Sequence, residues 1–594
     1  MSANFISKRV LQYALIGAAF CAFSGIGWAI SFQSADAQNG DSLGTNTQAV
    51  EATKRTISHG DIIGSIEENG AHVWRSIPYA ASTEGENRWR APQAAPAWDG
   101  IREVTEFGPR CPQTANSFNE IEGLEYGELA GSEDCLTLDV YAPVNALADG
   151  SENKKPLPVM VWIHGGGNVS GSPQIYKAHK LAVNENVIVV GVQYRLGPLG
   201  FFAHPDLADQ GANYAILDLI AALEWVRDNA SAFGGNPDLV TIFGESAGGH
   251  NVVSLLAAPK AKGLFHRAII QSGSFDSVTF DDASGASGDE VNSVKKVTQK
   301  VGSNQLEALR GLTVQELFNA YDIGTGFTQL PTIIRDGKVI PSTPLREAFT
   351  STETFHAVPI MTGANRDEMK LFQLANPSLT RKRFGVFYQA RDQKLYDTGS
   401  DYSSRVWRIR SVDAPAAAMS AAGHQNVYGY RFDWDDGGKI LFTDLSKMLG
   451  AAHAMEIPFV FNRFKLLGSA DKHMFQKKTA ASREVLSRAM GQYWASFARD
   501  GVPSGEKLLR WPQYSENNGT LLRFDAVRKK NDRGIETIPG GDTLKRLYAD
   551  LQAEKRVDEK KRCKIAAAIT AWVPELKESQ QLICSSTSKS VSGR

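Results

Sequence analysis

The sequence lacks any excess of charge, and this absence excludes several classes of protein. Its 594 residues carry 64 Lys and Arg against 65 Asp and Glu, a net charge of −1. This balance gives no electrostatic basis for binding nucleic acid or another strongly charged partner. No second long apolar run follows residue 30, and 42% of the residues are hydrophobic. The composition is that of a folded globular protein, not of a disordered chain, a collagen or a polytopic membrane protein.

Cysteine is also scarce. None of the five cysteines forms a C-x-x-C pair, so neither a zinc cluster nor a thioredoxin-like redox motif is supported. Cys21 lies in the N-terminal apolar run, which leaves four. Several pairings are possible. We favour Cys111–Cys135 and Cys563–Cys584, because each pair closes a local loop. Four buried free thiols are the alternative, which is less expected in an oxidising compartment.

The first 37 residues have the features of a secretory signal peptide. Lys8 and Arg9 precede an uncharged, mostly apolar run over residues 10–30, and residues 35–37 (ADA) form a small-x-small cleavage site. The sequence therefore predicts a secreted or periplasmic protein whose mature chain begins near Gln38. The alternative is an uncleaved N-terminal anchor, because the apolar run is nearly long enough to span a bilayer.

Strand and helix patterns alternate through the rest of the chain. Residues 215–229 have helical spacing. Short apolar runs typical of buried strands occupy residues 157–163, 187–192, 239–243, 358–362 and 427–432. This alternation predicts an α/β fold with a doubly wound, mostly parallel sheet and helices on both faces. We expect a linker at 38–54, a catalytic domain at 55–541, and a charged helical tail at 542–594 packed on that domain.

Residues 244–248 (GESAG) match the nucleophile-elbow pattern G-x-S-x-G. The pattern is weak alone, but a β-branched run precedes it and a helical pattern follows it, as the elbow requires. A sharp strand-to-helix turn would expose the oxygen of Ser246 at the helix N-terminus. The sequence therefore favours Ser246 as a nucleophile over an accidental turn serine.

A second glycine-rich segment, residues 164–167 (HGGG), directly follows a predicted strand. Three successive glycines let backbone N–H groups converge on one cavity, as an oxyanion requires. We expect Gly166, Gly167 and Ala247 to supply those donors. The alternatives are a plain glycine-rich loop or a phosphate cradle, although the GxxxxGK[ST] pattern of a phosphate loop is absent here.

These motifs resemble those of the type-B carboxylesterases and cholinesterases, serine esterases of the α/β-hydrolase fold. The resemblance covers residues 57–514. It is carried further by residues 77–80 (IPYA), 132–136 (SEDCL), 194–197 (YRLG) and 233–237 (FGGNP). It implies an α/β-hydrolase fold with inserted segments that line the substrate pocket, such as residues 274–290 and 371–393, and no metal or cofactor.

The resemblance also implies the other catalytic residues. Residues 363–368 (GANRDE) match the family's acid segment and assign the acid to Glu368, with Asp367 as the weaker rival. Residues 450–461 match the histidine segment and assign the base to His453. The order Ser, Glu, His is that of α/β-hydrolases. Without the resemblance, the sequence does not show which of its eleven histidines is the catalytic base. His250, one helical turn beyond Ser246, is the rival.

Other residues follow from the same resemblance. Glu245 and Ser272 are expected beside the histidine and the acid, although ordinary polar positions at a helix start and a strand end are nearly as good an explanation. Arg88 with Glu133 is expected to form a structural ion pair. Arg195 with Asp218 is expected to form another.

The sequence also departs from the family pattern. Asn168 stands where an aromatic residue is usual, and Leu219 stands where glutamine is usual. The loop between Cys111 and Cys135 carries Phe118 and Tyr126 but no tryptophan. Because cholinesterases bind the choline cation on a tryptophan ring there, choline esters are not the expected substrate.

We therefore expect an exported serine carboxylic-ester hydrolase that acts on a small-molecule ester through an acyl-enzyme intermediate. Neither nucleic acid nor a membrane span after signal cleavage is expected, and the oligomeric state and the ester stay open. A catalytically inactive adhesion or scaffold protein of the same fold is one alternative, although all three triad positions carry competent residues. A lipase or peptidase of the α/β-hydrolase class is another, although the HGGG loop favours carboxylic esters.

Cleavage after Ala37 is the first prediction. N-terminal sequencing of the exported protein should begin at Gln38, because signal peptidase reads the small residues at positions 35 and 37. A full-length chain that stays with the membrane fraction would contradict this and support the anchor.

Overall fold

The computed structural model describes residues 51–115, 124–125, 127–146, 155–287, 294–321, 332–515, 519–527 and 534–584. The expected signal peptide, most of the expected linker, Phe118 and Tyr126 lie outside the described residues. Thr53, at the end of that linker, is buried, and its hydroxyl donates to the carbonyl of Gly64 at 3.1 Å. The indole of Trp74 donates to the carbonyl of Thr53 at 2.7 Å, so this residue packs with the catalytic domain.

A single eleven-stranded sheet forms the centre of the molecule. Its strands are β1 (Ser65–Ile66), β2 (His72–Pro78), β3 (Thr137–Ala142), β4 (Leu157–Ile163), β5 (Ile188–Val192), β6 (Gly235–Glu245), β7 (Arg267–Gln271), β8 (Ile360–Asn365), β9 (Val427–Phe432), β10 (Thr520–Phe524) and β11 (Ile535–Pro539).

The strand order in space is β11-β10-β9-β8-β7-β6-β4-β5-β3-β2-β1. The seven strands β4 to β10 are parallel to one another, and antiparallel pairs extend the sheet beyond β5 and β10 at its two ends. The mostly parallel, doubly wound sheet predicted from the alternating pattern is therefore confirmed. Parallel strands end at one edge, so the loops that follow β4, β6, β7, β8 and β9 meet there.

Small strands lie outside the central sheet. Lys54–Ile57, Gly60–Ile63 and Ile101–Glu103 form a three-stranded sheet. The remaining strands form pairs: Gln113–Thr114 with Leu129–Ala130, Val278–Thr279 with Ile334–Arg335, Thr380–Arg383 with Phe387–Ala390, and Lys439–Ile440 with Thr443–Asp444.

The helices cover both faces of the sheet. They are α1 (His179–Glu185), α2 (Gly197–Gly200), α3 (Tyr214–Asn229), α4 (Ala247–Ala257), α5 (Phe280–Ser284), α6 (Val294–Val301), α7 (Leu306–Arg310), α8 (Val314–Tyr321), α9 (Leu345–Ala348), α10 (Glu368–Gln373), α11 (Gln393–Arg408), α12 (Ala414–Ala421), α13 (Leu445–Met448), α14 (Ile457–Val460), α15 (Asp471–Met474), α16 (Ala480–Asp500), α17 (Leu544–Ala553), α18 (Glu559–Trp572) and α19 (Lys577–Cys584).

Strand β4 shows why both faces are covered. Every residue of this strand is buried, so it has no solvent side. Val159 and Val161 belong to one core, with α3 and α4, whereas Met160 and Trp162 belong to a second core, with α14 and α16. Because strand side chains alternate between faces, a fully apolar run requires a hydrophobic layer on each side.

The C-terminal helices form a third, smaller core against α11. Leu547 and Leu551 of α17 lie four residues apart on one helical face and are buried with Tyr402 of α11. Several charges of this tail pair across the same boundary, including Arg405 with Asp542 at 2.9 Å. The tail therefore carries a buried apolar face beside the charges seen in its sequence.

Both favoured disulfides are present. Cys111 is bonded to Cys135, and Cys563 joins α18 to Cys584 of α19. None of the helices that the structure describes is long and apolar enough to cross a bilayer.

The buried ion pair between Arg195 and Asp218 gives a stability prediction. Asp218 accepts two hydrogen bonds from the Arg195 side chain, at 2.6 and 2.8 Å, and both residues are buried. Asp218→Asn should lower the free energy of unfolding by about 3–5 kcal/mol, because it leaves a buried guanidinium without its counter-charge. Urea denaturation measures the change.

Asp228→Asn is the matched control. Asp228 pairs with Arg227 at 2.7 Å, but both residues are exposed, so the loss should be far smaller. Equal losses for the two variants would contradict the assignment of a buried, structural pair at Arg195.

Candidate active site

Ser246 occupies a strained turn between β6 and α4. Its φ is 58° and its ψ is −121°, a region that non-glycine residues rarely adopt. Its backbone N–H donates to the carbonyl of Gln271 at 2.9 Å, which fixes the turn to the neighbouring strand. A side chain at Gly248 would collide with the carbonyl oxygen of Ile163, so that position requires glycine. This geometry is that of a nucleophile elbow.

The glycine-rich loop after β4 packs directly on this serine. A Cβ at Gly165 would lie 3.1 Å from the Cβ of Ser246. Gly166 and Gly167 have φ values of 107° and 66°, which turn the peptide units of the loop. Within the part of the chain that the structure describes, the N–H groups of Gly166, Gly167 and Ala247 have no hydrogen-bond acceptor. These three donors are therefore available to a substrate.

His453 and Glu368 form a buried hydrogen-bonded pair. Nδ1 of His453 lies 2.5 Å from Oε2 of Glu368. The other carboxylate oxygen, Oε1, accepts from the Ser272 hydroxyl at 2.6 Å and from the Asn365 N–H at 2.7 Å. Glu368 is fully buried and His453 nearly so. Since the carboxylate is held from both sides, it fixes the orientation of the imidazole.

The other imidazole nitrogen faces a second carboxylate. Nε2 of His453 lies 3.2 Å from Oε1 of Glu245, without the alignment of a hydrogen bond. Among the described residues Nε2 has no hydrogen-bond partner, so the Ser246 hydroxyl does not bond to it in this conformation. Catalytic hydrogen bonds of this kind often tighten only when substrate binds.

The electrostatics of the site are set by burial and by these carboxylates. Burial lowers the pKa of His453, but Glu245 and Glu368 outweigh it and raise the pKa to about 9. Burial raises the pKa of Glu245 to about 8, against the attraction of His453. An ionised Glu245 stabilises the imidazolium, so the basicity of His453 depends on Glu245.

The structure gives the rival residues other partners. Nε2 of His250 lies 2.6 Å from the carbonyl oxygen of Asp276. Asp367 pairs with Arg366 at 2.6 Å and accepts from the N–H of Ala451 at 3.1 Å. Asp367 therefore fastens the loop that carries the histidine, two residues before His453.

An aromatic wall beside His453 was not predicted. The rings of Phe372 in α10 and Trp407 in α11 lie 5.1 and 5.0 Å from the imidazole. The ring centres of Trp572 in α18 and Trp407 lie 6.3 Å apart, so the C-terminal helices reach this wall. Phe372 falls within the segment expected to line the pocket, whereas no sequence signal marks Trp407 or Trp572.

Both expected ion pairs form, and the unusual Asn168 makes a buried polar contact. Arg88 donates to Glu133 at 2.9 Å, and Arg195 is paired as described above. Asn168 is buried, and its amide oxygen accepts from the side chain of Asn251 at 2.9 Å. A polar contact thus holds the loop at the position where the family usually has an aromatic residue.

Comparison with known proteins identifies the family of this chain. The model of the carboxylesterase family matches residues 51–408 and 387–537. The chain belongs to the carboxylesterase family. The carboxylic ester hydrolase class and the type-B resemblance expected from the motifs are thereby confirmed.

Individual carboxylesterases resemble this chain over most of its length. The para-nitrobenzyl esterase of Bacillus subtilis is 34% identical over 527 residues, 83% of this chain and 98% of that protein. Carboxylesterase 1D of Rattus norvegicus is 34% identical over 537 residues, 82% of this chain and 90% of its own length.

Solved esterase structures confirm the α/β-hydrolase fold. One PNB esterase structure has a TM-score of 0.66 at 31% identity and covers 84% of this chain and 99% of its own. A carboxylesterase of Geobacillus stearothermophilus has a TM-score of 0.64 at 30% identity, with the same coverage. Helices α17 to α19 begin at Leu544, beyond the last residue that the family model matches.

The dependence of His453 on Glu245 can be tested by pH. In the wild type, kcat/KM should rise with pH as His453 loses its proton, with a midpoint above the ordinary imidazole range. In Glu245→Gln that midpoint should move to lower pH, because the imidazolium loses a neighbouring carboxylate. The measurement is kcat/KM for a neutral p-nitrophenyl ester across about pH 5 to 10.

Glu484→Gln removes an exposed carboxylate on α16 and serves as the control. Its profile should coincide with that of the wild type. An unchanged or higher midpoint in Glu245→Gln would contradict electrostatic control by Glu245.

Proposed function

We propose that this carboxylesterase hydrolyses its ester through an acyl-enzyme intermediate, with Ser246 as nucleophile, His453 as base and Glu368 as acid. The observation that carries the proposal is the buried hydrogen bond of 2.5 Å between His453 and Glu368, beside the strained turn at Ser246. Strained backbone is retained where function requires it. A small-molecule carboxylic ester is the expected substrate, with no metal or cofactor.

In acylation, the Ser246 oxygen attacks the carbonyl carbon of the ester while Nε2 of His453 takes the hydroxyl proton. Because Nε2 has no hydrogen-bond partner among the described residues, the Ser246 hydroxyl must first move into hydrogen-bond distance of it. The negative charge that develops on the carbonyl oxygen is stabilised by the free N–H groups of Gly166, Gly167 and Ala247. When the tetrahedral intermediate collapses, the bond to the alcohol breaks and His453 returns the proton to the leaving oxygen.

Deacylation repeats these steps with water in place of the serine. His453 takes a proton from the water, whose oxygen attacks the acyl carbon, and the proton then returns to Ser246 as the acid leaves. Glu368 accepts hydrogen bonds from Ser272 and Asn365 as well as from the imidazole, so its carboxyl group is held in place throughout. Its role is to hold the tautomer with the proton on Nδ1.

Glu245 adds a further electrostatic effect. Its carboxyl lies 3.2 Å from the nitrogen that carries the transferred proton. When ionised, it stabilises the imidazolium that forms in acylation, and it also competes with Ser246 for the same nitrogen. A pKa of Glu245 raised to about 8 favours the neutral carboxyl near neutral pH, which limits that competition.

Export is part of the same proposal. The expected signal peptide at residues 1–37 would carry the chain out of the cytoplasm. The two disulfides support this, because such bonds persist in oxidising compartments. We propose a secreted or periplasmic enzyme.

The mechanism is tested by substitution and labelling. Ser246→Ala and His453→Ala should each reduce kcat by several orders of magnitude, and the double variant should be little worse, because the two residues act as a unit. Glu368→Gln should reduce kcat less than the loss of Ser246, since the acid orients and stabilises without transferring the proton. A serine-directed organophosphate should label Ser246 once per chain, and far more slowly in His453→Ala.

His250→Ala is the control, because His250 contacts Asp276 and not the pair of His453 and Glu368. It should keep most of the activity. An inactive His250→Ala beside an active, readily labelled His453→Ala would refute the proposed base.

A further inference from the structure

Two hairpins carry an unusual exposed patch. We call the hairpin patch the set of Arg381, Lys382, Arg383, Phe384, Leu441 and Phe442. Phe384 is 73% exposed and Leu441 75%, the highest values for large apolar side chains in the described parts of the chain, and Phe442 beside them is 41% exposed. Single exposed apolar residues are common, but a cluster of them at the tips of two hairpins is typical of a binding surface.

The two hairpins form one surface. The rings of Phe384 and Phe442 lie 5.6 Å apart. The side chain of Gln389 donates to the carbonyl of Phe442, and the hydroxyl of Thr443 donates to the carbonyl of Tyr388. Apolar tips from two separate segments of the chain are therefore held side by side.

Basic side chains flank these tips. Arg381, Lys382 and Arg383 are all exposed, and among the described residues none of them has a carboxylate partner. The guanidinium of Arg383 lies 4.0 Å from the centre of the Phe442 ring, which keeps a cation next to the apolar surface. The only carboxylate paired on the Lys439–Asp444 hairpin, among the described residues, is Asp444 with Lys439 at 3.4 Å.

We propose that the hairpin patch docks this enzyme on an anionic phospholipid surface. Aromatic and aliphatic tips beside unpaired Lys and Arg are the features of a segment that enters the headgroup region of such a membrane. The patch exposes on the order of 350 Å² of apolar side chain, taking about 200 Å² for a whole ring. A stable protein interface needs about 800 Å² per partner, so a protein partner fits less well.

The position of the patch relates it to the candidate active site. The first hairpin follows α10, which begins at Glu368 after β8, and the second follows β9 and precedes the loop of His453. Both segments leave the sheet at the edge where Ser246 lies. Docking through them would bring the active-site edge toward esters dissolved in the bilayer. The inference adds a surface and does not depend on the triad.

Vesicle co-sedimentation tests the proposal. The probes are vesicles of phosphatidylcholine with about one third phosphatidylglycerol, and vesicles of phosphatidylcholine alone, at low salt and at about 0.3 M salt. The wild type should bind the anionic vesicles, bind the neutral ones weakly, and lose most of its binding at the higher salt. All proteins are purified from the soluble fraction, and mass spectrometry checks that they share the same N-terminus. Any binding through residues 10–30 would persist on neutral vesicles and in every variant.

Two variants separate the components of the patch. The triple variant Arg381→Gln, Lys382→Gln, Arg383→Gln should lose on the order of 100-fold in vesicle affinity, about five-fold for each charge. The double variant Phe384→Ser, Leu441→Ser should lose more than about ten-fold while keeping its salt dependence. Both variants should keep the far-UV circular dichroism spectrum and the unfolding temperature of the wild type, which shows that they are folded.

Matched controls alter the same chemistry elsewhere on the surface. Lys260→Gln, Lys262→Gln, Lys555→Gln removes three exposed charges, and Val144→Ser, Leu582→Ser removes two apolar side chains that are 61% and 68% exposed. Both should change vesicle affinity by less than about two-fold. Equal binding by wild type and triple variant, or equal binding of wild type to neutral and anionic vesicles, would overturn the proposal. So would an oligomer that the patch variants dissociate, since that would make the patch an interface between copies of the chain.

Discussion

The hydrogen bond between His453 and Glu368 is the contact on which the site depends. It joins the first residue of α10, which follows β8, to the loop of His453, which follows the neighbouring parallel strand β9. The pairing of these two strands therefore brings the two residues together. The ends of β8 also hold the histidine loop directly. The side chain of Asn365 donates to the carbonyl of Ala452 at 2.7 Å, and Asp367 binds Ala451 through its backbone and side chain. The sheet thereby positions an imidazole that belongs to no regular element.

This arrangement concentrates negative charge in the protein interior. Glu245, Glu368 and Glu456 are all buried around His453. Glu456 accepts from Asn365 at 2.6 Å and from Gln271 at 3.1 Å, and burial raises its pKa. Buried carboxylates are costly unless they are hydrogen-bonded or neutral. Both conditions are met in this site. Glu368 and Glu456 accept hydrogen bonds, and the raised pKa of Glu245 favours its neutral form.

The C-terminal helices extend this site beyond the part of the chain that the family model matches. Their buried leucines pack on α11, and α11 presents Trp407 to the imidazole. The ring of Trp572 lies 6.3 Å from the ring of Trp407. The Cys563–Cys584 disulfide closes the hairpin of α18 and α19 that carries Trp572. A tail whose sequence shows mainly charge thus contributes to the wall of the candidate active site.

Local sequence patterns predicted much of the fold and of the candidate site. The apolar runs predicted the strands 157–163 and 427–432 with their observed ends. The G-x-S-x-G spacing predicted the elbow, because a strained turn needs glycine on either side of Ser246. The family resemblance predicted the partners Glu368 and His453, which lie 85 residues apart and share no local pattern. Their roles in catalysis stay predictions.

Other contacts between segments that are remote in sequence are visible only in the folded chain. The placement of Asp367 on the histidine loop and the contact of Trp572 with Trp407 each join segments that are remote in sequence. The resemblance placed Glu245 near His453, but only the structure gives the 3.2 Å approach to Nε2. Such contacts follow from strand order and helix packing, and side-chain periodicity records only which face of an element is buried. Motif spacing therefore predicted the kind of chemistry, and tertiary packing decided its electrostatic surroundings.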